Sequence, residues 1–362
     1  MKDEIVIISP ELNPGGGGLA DYTLRVLEHW ADQKDLRFVI PESAVIPQGT
    51  EKRIDRIANR EDALRDRLPA AGGKVFLQYS AYGYSHVGYP RWLLRALTGW
   101  KKNSAGLLVI MFHEIWTFWP LLNKNYFVQR LHRSALRKLV AVADAIFTST
   151  PSQAEHLSVL IPGSSIQVMP VGSNIRRIST AEPAREDGMA VLFGLQRARN
   201  RALREIHSDL KSLASKGLIT KLITVGKANT RDDEAEESRL LLELNLAHGF
   251  EQRGALPEAE VSMLLSRAGF GISAQDGLSF TKSGVFMAYA AHELNILSPY
   301  GDPLGPEPLC WLTHPSELLR GLSADELKSR AQNLCAWQER TASWPYIAQR
   351  FAEALQLNHH AG

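Results

Sequence analysis

The chain is poor in the groups that mark a metal centre, a disulfide framework or a membrane anchor. Only Cys310 and Cys335 occur among its 362 residues. They lack metal-ligand spacing, which argues against a zinc site, suits a reducing compartment and makes both expected buried thiols. No uninterrupted apolar run approaches the roughly 18 residues of a spanning helix. Asp3 and Glu4 stand where a secretory leader would carry basic residues, so a cytoplasmic protein is expected. Net charge is also slight: 41 Lys and Arg against 39 Asp and Glu leave +2, too little to expect nucleic acid as a partner.

What is present is alternation. Glu4–Ile8, Phe38–Ile40, Val75–Leu77, Leu107–Ile110, Ala145–Thr148 and Gln167–Met169 read as short buried strands. Helical patterns lie between several of them, at 91–100 and 121–143. In the second, Phe127, Leu131, Ala135, Leu136, Leu139 and Val142 form one apolar stripe. A polar, aperiodic stretch at 177–188 reads as a linker. A second series follows, with strands at Val191–Phe193, Leu222–Val225 and Phe270–Ile272, and helices near 201–215, 232–247 and 257–267. The expected architecture is therefore α/β with two Rossmann-like, doubly wound domains facing a central cleft: 1–176, the linker 177–188, and 189–342. An amphipathic helix over 343–362, with Ile347, Phe351 and Leu355 on one side, is expected to cross back to the first domain.

Between the first strand and first helix stand four consecutive glycines, Gly15 to Gly18. A backbone without Cβ atoms turns sharply and approaches a ligand closely, while its N–H groups and the helix dipole favour an anion. The spacing matches neither the dinucleotide fingerprint nor the P-loop.

Taken in order, several motifs resemble those of retaining GT-B glycosyltransferases, specifically the large sugar-nucleotide-dependent, family 4-like group that builds polysaccharides and glycolipids. They are Gly15-Gly16-Gly17-Gly18-Leu19-Ala20, Phe112-His113-Glu114, Thr148-Ser149-Thr150-Pro151-Ser152, Val168-Met169-Pro170-Val171-Gly172, Leu192-Phe193-Gly194, Ile223-Thr224-Val225-Gly226, Gly254-Ala255-Leu256-Pro257, Asp276-Gly277-Leu278-Ser279 and the Trp344 helix. The resemblance spans nearly the whole chain. It implies transfer of a sugar from a nucleotide diphosphate donor to a carbohydrate or lipid-linked acceptor, with retention, and with no cofactor or metal beyond the donor itself.

Such transfer requires a leaving diphosphate held by fixed N–H donors and cations. Gly16 and Gly17 are candidates from the first domain. In the second, Ser279, Thr281, Lys282 and Ser283 open an expected helix, and Arg197, Arg201 and Lys227 follow strand ends. The resemblance places His113 and Asp276 near the transferred sugar, and Glu114 is suited to orient an acceptor hydroxyl. Two positions depart from the family. Leu195 stands where an arginine is usual, and Gly284 stands where a second acid, usually on the donor ribose, is expected. These departures keep two alternatives open: a noncatalytic, regulatory sugar-nucleotide-binding protein, or a sugar-nucleotide epimerase on the same scaffold.

Between Lys74 and Lys138 the chain carries ten Lys and Arg against Glu114 alone, together with thirteen aromatics. Basic, aromatic-bearing helices of this kind suit an anionic membrane surface, so peripheral contact at the inner membrane is expected. Asp232-Asp233-Glu234 are expected to open a helix rather than bind metal.

Overall fold

A computed structural model describes residues 4–13, 17–30, 36–46, 53–115, 126–178 and 185–356. The chain divides into two compact units, Met1–Pro170 with Trp344–Gly362, and Val171–Ser343.

In the first unit the order is β1 (Ile5–Ile8), α1 (Gly18–Glu28), β2 (Leu36–Pro41), β3 (Ile54–Ile57), α2 (Glu61–Arg65), β4 (Lys74–Ser80), α3 (Arg91–Asn103), β5 (Leu107–Glu114), α4 (Tyr126–Val140), β6 (Ala145–Thr148), α5 (Pro151–Leu160) and β7 (Ile166–Val168). The strands pair in parallel as β3-β2-β1-β4-β5-β6-β7. Side chains alternate between the two faces of each strand. Val75, Leu77, Leu108 and Ile110 therefore meet Leu93, Leu97, Leu136 and Leu139 in one buried cluster. Phe76 turns the other way.

The second unit comprises β8 (Glu186–Phe193), α6 (Gln196–Glu205), α7 (His207–Ser215), β9 (Lys221–Val225), α8 (Arg231–Leu242), β10 (Phe250–Gln252), α9 (Glu258–Arg267), β11 (Ala268–Ile272), α10 (Gly284–Ala291), β12 (Asn295–Leu297), α11 (Pro315–Leu319) and α12 (Ala324–Ala342). Its parallel sheet runs β10-β9-β8-β11-β12. Val191, Ile223 and Val225 pack toward α9, α10 and α12, while Ala190, Leu192 and Leu222 pack toward α6, α7 and α8. The α/β reading and the two parallel sheets expected from the alternation are both present.

The last helix, α13 (Trp344–Ala354), is grouped with the first unit. Its Phe351 ring lies 4.7 Å from Phe76 and 4.9 Å from Phe147, and Ile347 and Leu355 are buried beside it.

Several details differ from the sequence reading. The polar run 177–188 contains the start of β8, and its flank is pinned to the second unit. The Arg176 amide donates to Glu258 Oε1 at 2.7 Å, the Ile178 amide to Ser262 Oγ at 3.0 Å, and Arg177 pairs with Glu293 at 2.9 Å. The expected helix 201–215 starts earlier, at Gln196, and is two helices broken at Ile206. On α4 the inward side is Gln129, His132, Ala135, Leu136 and Leu139, whereas Phe127 and Leu131 are 70% and 42% exposed, so the expected apolar stripe is only partly a core face. Residues 121–125 of that expected helix lie outside the described residues. Both cysteines are free. Cys335 is buried, which pushes its thiol up to about 11, but Cys310 is only partly so.

Because Phe351 fills the space between two strand aromatics, Phe351→Ala should cost about 3–5 kcal/mol of unfolding free energy in a urea titration. A loss under about 1 kcal/mol would show that α13 adds little to the first unit.

Candidate functional site

In a doubly wound sheet, ligands lie outside the carboxyl ends of the strands, where strand order reverses. In the first unit that point falls between β1 and β4. The glycine-rich connection after β1 therefore arrives at the topologically favoured place, although Gly15 and Gly16 lie outside the described residues. Gly17 is the N-cap of α1 and has extended backbone. A Cβ on it would meet Glu11 Oε1 at 3.0 Å. The loop after β4 packs closely on the same connection, since a Cβ on Gly83 would sit 2.8 Å from Pro10.

His113 ends β5 next door. The β4–β5 register pairs Tyr79 with Phe112 and then Ser80 with Glu114, so His113 is the extra residue of a β-bulge. Bulges re-aim side chains near sites. The bulged backbone is held by Gln153 of α5, whose Nε2 donates to the His113 carbonyl at 3.3 Å while its Oε1 accepts from Thr148 at 2.6 Å. Nε2 of His113 lies 2.6 Å from Gln78 Oε1, and the Tyr22 ring meets the imidazole edge-on at 4.8 Å. His113 and Gln78 are both buried. The Tyr22 hydroxyl has no hydrogen-bond partner among the described residues, and burial raises its pKa well above the ordinary phenol value. Glu114 is exposed and accepts from Ser80 Oγ at 3.1 Å.

In the second unit the switch point lies between β8 and β11. Gly194 and Gly226 close β8 and β9 with φ of 132° and 138°, in the region that favours glycine. A Cβ on Gly226 would sit 2.0 Å from the Gly194 carbonyl oxygen. That oxygen accepts from Arg199 Nη1 at 2.6 Å. The arginine is itself held bidentately by Glu237 of α8, Nε at 2.7 Å and Nη2 at 2.9 Å, and the two side chains are only 4% and 1% exposed.

Arg197 and Arg201, expected to follow the end of a strand, therefore stand on α6 together with Arg199. Successive helical residues turn by 100°, so Arg197 and Arg201 share one side while Arg199 faces the opposite one. Arg199 is an internal clamp. Arg201 is exposed but paired with Glu205 at 2.7 Å. Arg197 is exposed, as is Lys227 beyond Gly226, and neither has an ion pair among the described residues.

The amino end of α6 has no side-chain cap and no acid in its first turn. It meets the amino end of α10: a Cβ on Gly194 would lie 3.3 Å from Val285 Cγ2. The helix α10 is seated by Tyr289, whose hydroxyl accepts from the Phe193 amide at 2.7 Å and whose ring leaves no room for a Cβ on Gly271. The helix expected from Ser279 begins later, at Gly284, with Ser283 as its cap, accepting from the Phe286 amide at 3.2 Å. Ser279 instead donates to Gln275 Oε1 at 3.0 Å. Thr281 is buried with its Oγ1 unpartnered among the described residues, and Lys282 is exposed. Asp276 folds back, its Oδ1 accepting from the Leu278 amide at 3.0 Å. The space over Gly284 is taken by Asn174, which lies 3.1 Å from where a Cβ would be.

Asp232, Asp233 and Glu234 occupy the first turn of α8 behind a Thr230 cap. Among the described residues no three potential metal ligands are gathered.

No protein-family model and no curated protein matches the sequence. Solved structures do match. A glycosyltransferase from Rickettsia africae has 11% identity and a TM-score of 0.66, covering 100% of both chains. HepE of Anabaena, solved with UDP and glucose, has 12% identity and a TM-score of 0.62, covering 98% of this chain and 99% of its own. WaaG, a glycosyltransferase involved in lipopolysaccharide biosynthesis, has 14% identity and a TM-score of 0.56, covering 98% and 100%. The chain has the GT-B fold.

On this GT-B scaffold, sequence reasoning missed the groups that position others: Gln78, Gln153, Glu237, Tyr289 and Asn174. Gln78 and Tyr289 sit in apolar runs that read only as core. Glu237 is one of several acids in a polar helix, and only the fold singles it out.

Removing one partner of a buried ion pair strands the other. Glu237→Leu should therefore lose about 3–5 kcal/mol of stability, while Arg201→Ala, at an exposed pair, should lose under about 1 kcal/mol. Equal small losses in calorimetric unfolding would show that Arg199 does not depend on Glu237.

Proposed function

We propose that this protein is a glycosyltransferase that moves a sugar from a nucleotide diphosphate donor, with retention, to a carbohydrate or lipid-linked acceptor in polysaccharide or glycolipid assembly. The observation that carries the reading is the meeting of two helix amino ends at the switch point of the second sheet. The Gln196 and Arg197 amides of α6 and the Gly284 and Val285 amides of α10 have no partners among the described residues. Amino ends of helices favour anions, and a basic residue in the first turn of one is unfavourable until an anion binds beside it. Arg197 stands in such a place. Arg201 is occupied by Glu205, so the charge of the diphosphate falls to Arg197, Lys227 and Lys282. Ser279, Thr281 and Ser283 line the approach to α10.

Fixed amides and cations stabilise a leaving diphosphate without rearranging during bond cleavage. With the charge met by side chains, the reaction needs no metal, and full activity in chelator is expected. Asp276, matched to the family's sugar-side acid, accepts a hydrogen bond from a hydroxyl of the sugar in this reading. In this reading, by the resemblance, His113 binds a sugar hydroxyl and Glu114 orients the acceptor, while Gly16 and Gly17 stay candidates for phosphate contact from the sequence alone.

The acceptor side is proposed to rest on anionic lipid. The structure narrows the surface that supports this. Tyr79, Tyr84 and Trp100 are core residues, while Trp116 and Trp119 lie outside the described residues. What faces outward on α4 is Phe127 and Leu131 with Arg130, Arg137 and Lys138. Tyr82 and Val87 are exposed in the loop that holds His132, the Val87 carbonyl lying 3.0 Å from its Nε2.

Titration calorimetry with UDP, GDP and ADP should show binding of at least one. Each of Lys227→Ala and Arg197→Ala should then weaken it about tenfold or more, the range for one charge-assisted hydrogen bond. Unchanged affinity in both would reject the anion site. Binding without sugar transfer would favour the noncatalytic alternative, and interconversion of free donor would favour an epimerase.

Co-sedimentation with phosphatidylglycerol vesicles at low salt should fall several-fold in a Phe127→Ser, Arg130→Ala, Arg137→Ala variant. Equal sedimentation of variant and parent would remove α4 as the lipid face.

A further inference from the structure

Gln196, the first residue of α6, is wholly buried, and both ends of its carboxamide are engaged. Its Oε1 accepts from the Asn229 amide at 2.7 Å, and its Nε2 donates to Glu237 Oε2 at 3.1 Å. A backbone N–H can only donate, so the Asn229 contact settles which end of the carboxamide is oxygen. Glu237 is the same carboxylate that holds Arg199, so the glutamine is braced from the core side.

The loop it reaches is otherwise open. Residues 227–230, the connection from β9 to α8, are all exposed. Of their four amides only that of Asn229 has a partner among the described residues, and the partner is Gln196. An exposed loop amide is readily satisfied by water, whereas a buried glutamine costs stability unless its polar atoms are paired. The direction of dependence therefore runs outward, from a fixed buried acceptor to a loop that has few other ties. One further tie stands at the start of the loop, where the Gly226 backbone lies so close to the Gly194 carbonyl oxygen that a Cβ would sit 2.0 Å from it. The loop is thus fastened at 226 to Gly194 and at 229 to Gln196, the two residues that flank Leu195, the N-cap of α6. Lys227 falls between the two fastenings, and its backbone is held beside the amino end of α6.

We infer that Gln196 is a positioning residue: its buried carboxamide locks the 227–229 loop to the start of α6, so that Lys227 serves an anion bound at that helix end. This deepens the diphosphate reading proposed above and rests on it for the role of Lys227, while the lock itself needs no ligand.

Two measurements on the full chain test it. Amide hydrogen exchange followed by NMR, without ligand, should show Asn229 exchanging at least about tenfold more slowly than Ala228 in the parent. The two rates should converge in Gln196→Met, which keeps the volume without the acceptor. Calorimetry with UDP, GDP, ADP and inorganic pyrophosphate as probes then supplies a double-mutant cycle. Lys227→Ala should weaken binding about tenfold in the parent but under about threefold in Gln196→Met, because a lysine on a loosened loop contributes little. A glutamine that served only stability would leave the Lys227→Ala factor the same in both backgrounds. If Gln196→Met does not fold, Asn229→Pro removes the donor N–H from the exposed side and leaves the buried glutamine in place, and the Lys227→Ala factor should shrink there in the same way.

Equal exchange of Asn229 in the parent and Gln196→Met would overturn the lock, and an unchanged Lys227→Ala factor would overturn the positioning role while leaving the diphosphate site standing. A parent that binds none of the four probes would overturn the diphosphate site and the role given to Lys227 with it.

Discussion

The contact between the Gly194 carbonyl and the α-carbon of Gly226 sets the geometry of the second unit's candidate site. Two parallel strands end side by side, and no side chain fits at Gly226. Arg199 fills the place beneath with a guanidinium that takes the Gly194 carbonyl and is neutralised by Glu237. This closure fixes where α6 leaves the sheet. The glycine that leads into α6 is thereby brought against Val285, at the amino end of α10.

The first unit uses a different device to the same end. A single extra residue in β5 turns His113 out of register, and side chains from β4, α1 and α5 hold it there. Both units therefore use buried polar groups to hold the residues beside their switch points. Such groups are expensive to bury unless paired; Gln153, Arg199, Glu237 and Tyr289 are paired, whereas the Tyr22 hydroxyl and the Gln78 amide nitrogen have no partner among the described residues.

Much of this architecture is legible in the sequence. Runs of Ile, Val and Phe bounded by glycine mark the central strands, because a strand covered on both faces must be apolar throughout. The edge strands β3, β10 and β12 escape such reading. Ile54–Ile57 carries Asp55 and Arg56, and the other two are three residues long, too short for any period. The long helix α12 carries a Ser323–Glu326 capping box, a signal present in the sequence but overshadowed by its polar composition. For the site, residue types were readable but not their engagement. Three arginines at alternate positions look equivalent as a loop. On a helix one of them turns inward to Glu237 and another to Glu205. Leu195, where an arginine is usual in the resembling family, is left 72% exposed at the N-cap of α6.

The seating of Asn174 over Gly284 has a consequence for protein engineering. The Asn174 amide also reaches toward the Gly284 carbonyl at 3.4 Å, and the Val171 amide donates to the Thr281 carbonyl at 2.9 Å, so the 171–175 segment is stitched along the entrance to α10. Installing an acidic side chain at 284 is consequently a two-site problem: the strap must be shortened or its asparagine trimmed before the newcomer has anywhere to go. The room available at position 284 is thus set by a stretch of backbone lying more than a hundred positions upstream, and swapping that stretch offers a handle that the 276–284 loop alone does not.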